Sequence, residues 1–348
     1  MSASKVALVV GASGIIGNAL VETLVENPEW RVRAVRRTFV PGVETLELDL
    51  NDAQATADAL RHAGDTTHVF YAALRPDSSL AREAEINGAM LRNLLDGLKA
   101  AGAKLERVVH YQGAKVYGVH LGPTTAPFYE DDPRHLAPNF YYTQEDLLRE
   151  RAAQGEFEWS ILRPDVVVGD IAGNPMNIAL VIGAFAALSK QAGVPLRFPG
   201  SVKAYRGVLA QLTDARWLAR ASIWAALAPA ARNEAFNLVG EPFRWERLWH
   251  KVAEAFDMPV AEPQPFSLAA QMPAKAAVWQ ELAEQQGLQA IPYEKLIGWK
   301  FGDFVFNTEF DMISDMGKIR RAGFTEAVST EDSLIGAIKR LQEKRYIP

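Results

Sequence analysis

The sequence predicts an α/β fold in which a doubly wound parallel sheet is joined to a smaller, mostly helical C-terminal part. Three observations support this. Strand and helix patterns alternate through the first half of the chain, a glycine-rich turn connects the first strand to the first helix, and prolines interrupt the pattern in the second half. The chain has 348 residues, of which 49% are hydrophobic. That length is sufficient for one large domain or for a core domain with a smaller one.

The individual elements follow from the spacing of the apolar residues. Apolar runs predict strands near residues 5–10, 31–36, 44–48, 67–73, 107–112 and 157–163. Amphipathic segments predict helices near 15–26, 52–63, 80–101 and 140–154. Further along, we expect a strand at 233–239, a helix at 245–256 and tail helices at 310–323 and 329–344.

The two parts of the chain are expected to interleave. We assign residues 1–165 to a nucleotide-binding part, with segments near 203–228 returning to it. Residues 166–202 and 229–348 are assigned to the substrate-binding part.

The turn after the first predicted strand contains three glycines. Gly11, Gly14 and Gly17 follow an apolar run and open an amphipathic segment, with the spacing G-x-x-G-x-x-G. In such a turn the first glycine allows a tight bend, the second lets the backbone approach a pyrophosphate, and the third lets helix and strand pack closely. The N–H groups of the first helical turn then face the phosphates. This pattern predicts a Rossmann-like, dinucleotide-binding fold.

The following strands indicate which dinucleotide binds. An NAD site usually carries an acid at the end of the second strand, but Arg36 and Arg37 stand there. Their guanidinium groups suit a 2′-phosphate, so we expect the cofactor to be NADPH/NADP+ and not NAD. The alternative interpretation of the two arginines is a solvated basic turn. Asp49, at the end of the third strand, is interpreted either as an acceptor for the adenine amino group or as a cap of the next helix. Ala72 and Ala73 would let the cofactor lie across the end of the fourth strand.

Composition excludes several classes of protein. The formal net charge of −5 argues against nucleic acid as a partner, and the absence of cysteine excludes disulfides and thiolate metal sites. No two of the six histidines have metal-ligand spacing, so no metal site is expected. We find no signal peptide and no apolar run of membrane-spanning length. We therefore expect a cytoplasmic enzyme, monomeric or homodimeric, that is not bound to a membrane.

Two polar segments follow strand ends, where ligands bind in doubly wound sheets. They cover residues 111–118 and 138–146. A short-chain dehydrogenase is expected to show Tyr-x-x-x-Lys on the helix that the second segment opens. In that motif the tyrosine donates to a substrate oxygen, and the lysine lowers its pKa and holds the nicotinamide ribose.

The lysine of this motif is missing from the helix. Glu145 stands four residues after Tyr141, and Asp146 stands four residues after Tyr142. Lys115 is the only lysine in either segment. It could supply the positive charge from the loop after the fifth strand.

At this point the chain resembles the progesterone 5β-reductase/iridoid synthase-like enzymes, an atypical branch of the extended short-chain dehydrogenases/reductases. The resemblance covers nearly the whole chain. It rests on the strings Gly11–Asn18, Arg36–Thr38, Thr67–Tyr71, Gly113–Tyr117, Asn139–Asp146, Arg163–Pro164, Ile223–Ala226 and Asn233–Asn237. The string Asn-Phe-Tyr-Tyr-x-x-Glu-Asp together with the relocated lysine is specific to that family.

The resemblance implies NADPH-dependent 1,4-reduction of activated C=C bonds in enones and enals. It places the catalytic tyrosine at Tyr141 and the catalytic lysine at Lys115. Spacing alone leaves Tyr142 as the alternative donor, because it lies eight residues before Glu150, as in the Tyr-x-x-x-Lys-x-x-x-Glu of ordinary members. The plant enzymes have Arg-Pro-Gly-Asn where this chain has Arg-Pro-Asp-Val at 163–166, so the substrate pocket is expected to differ.

The site is therefore predicted as follows. The residues expected to contact the cofactor are Gly11, Ser13, Gly14, Ile15, Ile16, Gly17, Arg36, Arg37, Asp49, Leu50, Ala72, Ala73, Gln112, Lys115, Tyr141, Pro164 and Val166. Those expected near a small apolar enone or enal are Tyr142, Phe128 and Met176, with further lining from helices near 179–188 and Trp279, and with Tyr129 beside Phe128 on a covering loop. Three alternatives stay open: a carbonyl reductase or epimerase on the same scaffold, an imine reductase, and a non-catalytic NADP-binding regulator.

Overall fold

The computed structural model describes residues 5–35 and 43–348. Within these residues the chain forms eleven strands: β1 (Lys5–Val10), β2 (Trp30–Val35), β3 (Glu44–Leu46), β4 (His68–Tyr71), β5 (Arg107–Tyr111), β6 (Glu158–Arg163), β7 (Val167–Val168), β8 (Leu196–Arg197), β9 (Thr213–Asp214), β10 (Glu234–Asn237) and β11 (Val260–Ala261). The same residues form thirteen α-helices: α1 (Ile15–Val25), α2 (Ala53–Leu60), α3 (Leu80–Ala100), α4 (Phe140–Ala153), α5 (Ile178–Gln191), α6 (Ala215–Leu227), α7 (Trp245–Ala255), α8 (Leu268–Gln271), α9 (Ala276–Gln286), α10 (Tyr293–Leu296), α11 (Trp299–Phe306), α12 (Gly317–Arg321) and α13 (Thr330–Glu343). Shorter helical turns occupy Ala114–Tyr117, Lys203–Gly207, Pro229–Ala231 and Met272–Lys275.

Seven of the strands form one parallel sheet in the order β3-β2-β1-β4-β5-β6-β10. All seven strands are parallel, but successive strands are added to one side of β1 up to β3 and to its other side from β4 onward. This switch point between β1 and β4 opens a crevice at the carboxyl ends of these strands. The predicted fold class is confirmed, including the late strand β10.

Alternating residues of β1 explain why helices cover both faces of the sheet. Ala7 and Val9 pack in one apolar cluster with α1 and α6, whereas Leu8 and Val10 pack in another with α3 and α4. Because successive side chains of a strand point to opposite faces, both faces of this apolar strand are buried.

The C-terminal part has its own apolar core. Helix α5 lies at its centre, where ten of its side chains are at most 6% exposed. Aromatic side chains from several elements surround it, including Phe198, Trp249 and Phe306, whose ring centroids lie 5.1–5.7 Å apart. This core supports one wall of the crevice.

The predicted tail helix at 310–323 is wrong over its first half, because α12 covers only Gly317–Arg321. The segment before it lies beside Phe128, whose N–H donates to the carbonyl of Ile313 at 2.7 Å and whose carbonyl accepts from the N–H of Asp315 at 2.9 Å. These bonds use backbone groups that a helix would need internally. The second tail helix is confirmed as α13.

The proposed division of the chain differs from the sheet at one point. β10 pairs with β6 in the central sheet, although the division at residue 229 assigns it to the substrate-binding part.

Over the ranges 5–35 and 43–348, no helix is long and apolar enough to cross a membrane.

Candidate active site

The glycine turn lies at the carboxyl ends of β1 and β4. Gly11 has a φ of +82°, and a Cβ on it would lie 2.7 Å from the carbonyl oxygen of Ala72 and 2.9 Å from the nitrogen of Ala73. A Cβ on Gly17 would lie 2.4 Å from the carbonyl oxygen of Gly11. These contacts show why only glycine fits at both ends of the turn.

Helix α1 begins at this turn with free N–H groups. Gly14 is its N-cap, has no side chain to satisfy them, and is followed by a first turn without acidic residues. Ile15 and Ile16 line the crevice there, while Ser13 is exposed beside the turn. The N-terminus of a helix attracts anions, so this end of the crevice suits a pyrophosphate.

A single elongated pocket runs from the glycine turn into the C-terminal part. On the nucleotide side it is lined by Gly11, Gly14, Gly17, Ala72, Ala73, Gln112, Lys115, Tyr141, Pro164 and Val166. On the far side the lining is mainly apolar and comes from Met176, Val208, Ala210, Leu212, Trp245, Phe301, Phe304, Val305 and Met312. We call this second set the apolar wall.

Asn139 connects the two predicted catalytic residues. It is the N-cap of α4, and its Oδ1 accepts from the N–H of Tyr141 at 3.0 Å. Its Nδ2 donates to the carbonyl of Lys115 at 2.8 Å. One side chain therefore fixes the start of the tyrosine helix against the helical turn that carries the lysine.

Lys115 extends from the turn Ala114–Tyr117, directly after β5. Its side chain is 44% exposed, and its Nζ lies 3.9 Å from Oε2 of Glu83 and 5.9 Å from the ring centroid of Phe140. Both contacts are long. The ammonium group therefore keeps most of its hydrogen-bonding capacity for a ligand in the pocket.

Tyr141 keeps part of its surface accessible in the pocket. Its hydroxyl oxygen lies 3.2 Å from where a Cβ on Gly113 would stand, and its ring lies 6.4 Å from the imidazole of His110. Burial raises the pKa of Tyr141 well above its ordinary value, and a backbone hydrogen bond with Gly113 opposes that shift. The phenol is consequently protonated at neutral pH and acts as a hydrogen-bond donor.

Glu145 stands four residues after Tyr141, where the Tyr-x-x-x-Lys motif of a short-chain dehydrogenase would place the lysine, and it forms part of a buried network. The Glu145 carboxylate accepts from Nε2 of Gln112 at 3.0 Å and from Arg149 at 2.7 Å, and Arg163 lies 3.5 Å away. Burial by itself would raise the pKa of Glu145, but these donors and the charge of Arg163 hold it below its usual range. The carboxylate thus holds Gln112 and α4 together below the pocket.

Two of the residues predicted near the substrate do not line the pocket. The hydroxyl of Tyr142 donates to the carbonyl of Val116 at 2.6 Å, and the side chain is buried on the other side of α4. Phe128 is 2% exposed and stacks on Tyr117 with ring centroids 5.0 Å apart. The third, Met176, lines the pocket and is 47% exposed.

Other predicted residues also lie elsewhere. The side chains of α5 and Trp279 are buried in the C-terminal core instead of lining the pocket, and Leu50 is buried under the sheet. Helix α2 is capped by Asp52, so the capping interpretation of Asp49 is wrong; Asp49 instead accepts from Asn51. Arg36 and Arg37 lie outside the described residues.

Several residues of the pocket were not predicted from the sequence. His110 lines the pocket between Tyr71 and Tyr141, and burial lowers the pKa of its imidazole to about 4. Asp165 also lines the pocket. The departure from Arg-Pro-Gly-Asn at this position was the available signal for Asp165. Apart from Met176, the apolar wall gave no such signal, since its residues come from separate segments of the sequence.

The described residues contain no group of three or more His, Asp or Glu side chains that could hold a metal ion. The chemical groups that converge are a phenol, an ammonium group and a carboxyl, beside a turn suited to a dinucleotide. This arrangement can bind an anion-bearing cofactor and donate a hydrogen bond to an oxygen that gains negative charge.

Solved structures of low sequence identity share this fold. An epimerase from Methanothermobacter thermautotrophicus superposes with a TM-score of 0.70 at 17% identity, covering 97% of this chain and 92% of that one. RMD from Pseudomonas aeruginosa in complex with NADPH superposes with a TM-score of 0.68 at 15% identity, covering 98% of each chain. At these identities the similarity establishes the fold alone.

Comparisons of sequence identify the family. The family profile described as the PRISE-like Rossmann-fold domain matches residues 23–348. An (S)-8-oxocitronellyl enol synthase of Camptotheca acuminata is 36% identical, covering 99% of this chain and 93% of that protein. A 3-oxo-Δ(4,5)-steroid 5-β-reductase of Arabidopsis thaliana is 35% identical, covering 100% of this chain and 94% of that protein. The resemblance inferred from the motifs is thereby confirmed, and the chain belongs to the PRISE-like Rossmann-fold family.

Proposed function

We propose that this protein is an NADPH-dependent reductase that adds hydride to the β-carbon of enones and enals. The observation that carries the proposal is the convergence of Tyr141 and Lys115 in one pocket with the glycine turn and the apolar wall. The names of the two plant relatives, an enol synthase and a steroid 5-β-reductase, support the same reaction class.

The residues present fit a dinucleotide. The glycine turn and the N-terminus of α1 would hold the pyrophosphate, since they border the pocket and the first turn of α1 has neither a capping side chain nor an acid. Ala72 and Ala73 would lie beside the cofactor, Lys115 would bind the ribose, and the backbone at Pro164 and Val166 would border the nicotinamide. When bound, NADPH supplies the hydride.

Tyr141 stabilises the charge that develops on the substrate. As the β-carbon is reduced, negative charge moves to the carbonyl oxygen, and the phenol donates a hydrogen bond to that enolate oxygen. The raised pKa supports this role, because Tyr141 does not have to ionise in order to act. Lys115 supports the tyrosine and the ribose electrostatically.

The apolar wall supports a substrate with an apolar body. The two polar side chains that line the pocket among these residues are already engaged: Nε2 of Gln211 donates to the carbonyl of Gly240, and the hydroxyl of Thr308 donates to the carbonyl of Phe304. A substrate rich in hydroxyl groups would leave its own donors unpaired there, at a cost of about 1–3 kcal/mol for each buried group.

The proposal is tested by NADPH consumption with a panel of enals, enones, saturated ketones and imines. We expect oxidation of NADPH with the conjugated carbonyls and products that have gained two hydrogens at the C=C bond. Turnover confined to the saturated ketones or to the imines would overturn the assignment, and binding without any turnover would indicate a regulator.

We also predict a preference for NADPH over NADH. In the sequence, Arg36 and Arg37 directly follow β2, and no acid that would repel a 2′-phosphate stands there. One charge-assisted contact contributes ~1.5–3 kcal/mol, so NADPH should bind on the order of ten-fold more tightly or better. Dissociation constants measured by nicotinamide fluorescence check this, and the double variant Arg36→Ala/Arg37→Ala should lose most of the preference. Equal affinities in the wild type would disprove it.

Gly14→Ala is expected to weaken cofactor binding while the protein stays folded. The new Cβ would lie 3.3 Å from the carbonyl oxygen of Gly11, which a small adjustment accommodates, but it would stand where the pyrophosphate approaches the backbone. If the added methyl group costs one hydrogen bond between the pyrophosphate and the backbone, the affinity for NADPH should fall by roughly ten-fold.

Calorimetric titration with NADPH measures the effect of Gly14→Ala. The control is Gly336→Ala in α13, where the new Cβ would meet only the end of the Arg340 side chain at 3.1 Å. Wild-type affinity in Gly14→Ala would show that the cofactor does not approach this turn.

A further inference from the structure

We propose that Asp165 donates the proton that completes the reduction, so that the α-carbon is protonated on one face inside the pocket. This inference rests on the proposed function. It adds a second catalytic group at a position where the plant enzymes, which have Arg-Pro-Gly-Asn, carry no acid.

The position of Asp165 beside Tyr141 follows from Gly113. A Cβ on Gly113 would lie 3.2 Å from the hydroxyl oxygen of Tyr141 and 3.9 Å from the carbonyl oxygen of Pro164, the residue directly before Asp165. Asp165 itself lines the pocket. The phenol assigned to the enolate oxygen and the backbone directly before Asp165 therefore border the same part of the cavity, and, besides burial, the charge of Asp165 is one of the causes that raise the pKa of Tyr141.

The backbone around Asp165 is held in place. Its N–H donates to Oγ1 of Thr213 at 3.1 Å, and Thr213 in turn donates to the carbonyl of Leu238. Oδ1 of Asp165 accepts from the N–H of Val166 at 3.0 Å. Val166 has a φ of +36°, which is strained for a β-branched residue, so the surrounding structure holds this turn in place.

No cation among residues 5–35 and 43–348 pairs with the Asp165 carboxyl. In the part of the chain that the structure describes, Asp165 forms no ion pair, whereas the nearby Asp170 pairs with Arg216, Arg340 and Lys344 within 3.3 Å. Burial raises the pKa of Asp165 to about 6. A carboxyl with these properties holds and releases a proton near neutral pH.

The other titratable groups that line the pocket do not suit this step. They are Tyr71, His110, Tyr111, Lys115 and Tyr141. Burial raises the pKa of all three tyrosines still further above neutral pH and lowers that of His110 to about 4, so the imidazole is neutral and is a poor acid. Lys115 is committed to the ribose and the phenol in the proposed function.

The hydride forms the new C–H bond at the β-carbon, and the electrons of the C=C bond move to the enolate. The carboxyl of Asp165 gives its proton to the α-carbon, which restores the carbonyl and leaves a carboxylate. That carboxylate takes a proton from water in the next cycle, so the reaction consumes one hydride and one proton in total.

The test is the stereochemistry of the α-carbon after reduction in D₂O. A cyclic enone with a hydrogen at the α-position is reduced with NADPH, and the saturated ketone is analysed at once by NMR. We expect the wild type to give one α-deuterated epimer in large excess. Asp165→Asn and Asp165→Gly should give nearly equal epimers, because protonation then occurs from bulk water, while NADPH oxidation continues.

Asp146→Asn is the matched control, since Asp146 is an exposed acid on the outer side of α4 that pairs with Arg134. It should keep the wild-type epimer ratio. An unchanged ratio in both folded Asp165 variants, or equal epimers in the wild type, would overturn the role of Asp165 while leaving enone reduction intact. Failure of the wild type to reduce any enone would instead remove the proposed function, and this inference with it.

Discussion

Tyr141→Phe is expected to lower the rate of enone reduction by ~10²–10³-fold, the usual effect of removing one donor to an oxyanion. The ring of Tyr141 packs against Phe140 with centroids 4.0 Å apart, and phenylalanine keeps that contact. NADPH binding should be unchanged, because the hydroxyl is not assigned to the phosphates. Turnover of an enone and NADPH affinity, measured on the same preparation, give both quantities.

Tyr142→Phe is the control for this change, since it removes a hydroxyl from the neighbouring residue of the same helix. That hydroxyl donates to the carbonyl of Val116 and lies away from the pocket. Its loss should cost about 1–3 kcal/mol of stability and leave the rate close to wild type. If Tyr142→Phe abolished reduction and Tyr141→Phe did not, the roles of the two tyrosines would be reversed. If neither mattered, the mechanism would be wrong.

Lys115→Met is expected to weaken NADPH binding by on the order of ten-fold and to lower the rate by a comparable factor or more, since a charge-assisted contact contributes ~1.5–3 kcal/mol. Methionine keeps most of the length of the side chain and removes only the charge. The Lys115 side chain is 44% exposed and its only ion pair among the described residues is the long contact with Glu83, so the melting temperature of Lys115→Met should be close to that of the wild type.

Lys99→Met provides the comparison for Lys115→Met. Lys99 is a 66% exposed lysine of α3 that pairs with Glu156 at 2.7 Å, outside the pocket. We expect this variant to bind and reduce like the wild type. Equal behaviour of the two variants, with both folded by circular dichroism, would remove Lys115 from the site.

The nucleotide side of the molecule could be predicted from the sequence because its determinants are local. The apolar run of β1 must be buried on both faces, and the turn after it needs glycine where the backbone of Ala72 approaches Gly11. The spacing of apolar residues therefore specified the sheet and its helices within a few residues. Tyr141 and Lys115 required the family resemblance, since the spacing alone left two tyrosines open.

The substrate side could not be predicted in the same way. The apolar wall joins Val208, Trp245, Phe301 and Met312, which only the tertiary fold brings together. The segment before α12 carries a helical pattern, but its hydrogen bonds with Phe128 override that local preference. Phe128 was predicted on a loop that covers the substrate, but the same hydrogen bonds fix its backbone and its side chain is buried.

Every other role assigned in the site depends on delivery of hydride to the β-carbon of a conjugated carbonyl, and the position of a deuterium label shows where the hydride goes. An enone is reduced with NADPH deuterated at C4, in ordinary water, and the product is analysed by NMR and mass spectrometry. We predict a saturated carbonyl compound with one deuterium, at the β-carbon. Deuterium at the carbonyl carbon of an allylic alcohol would contradict the account and show that the protein reduces the C=O bond.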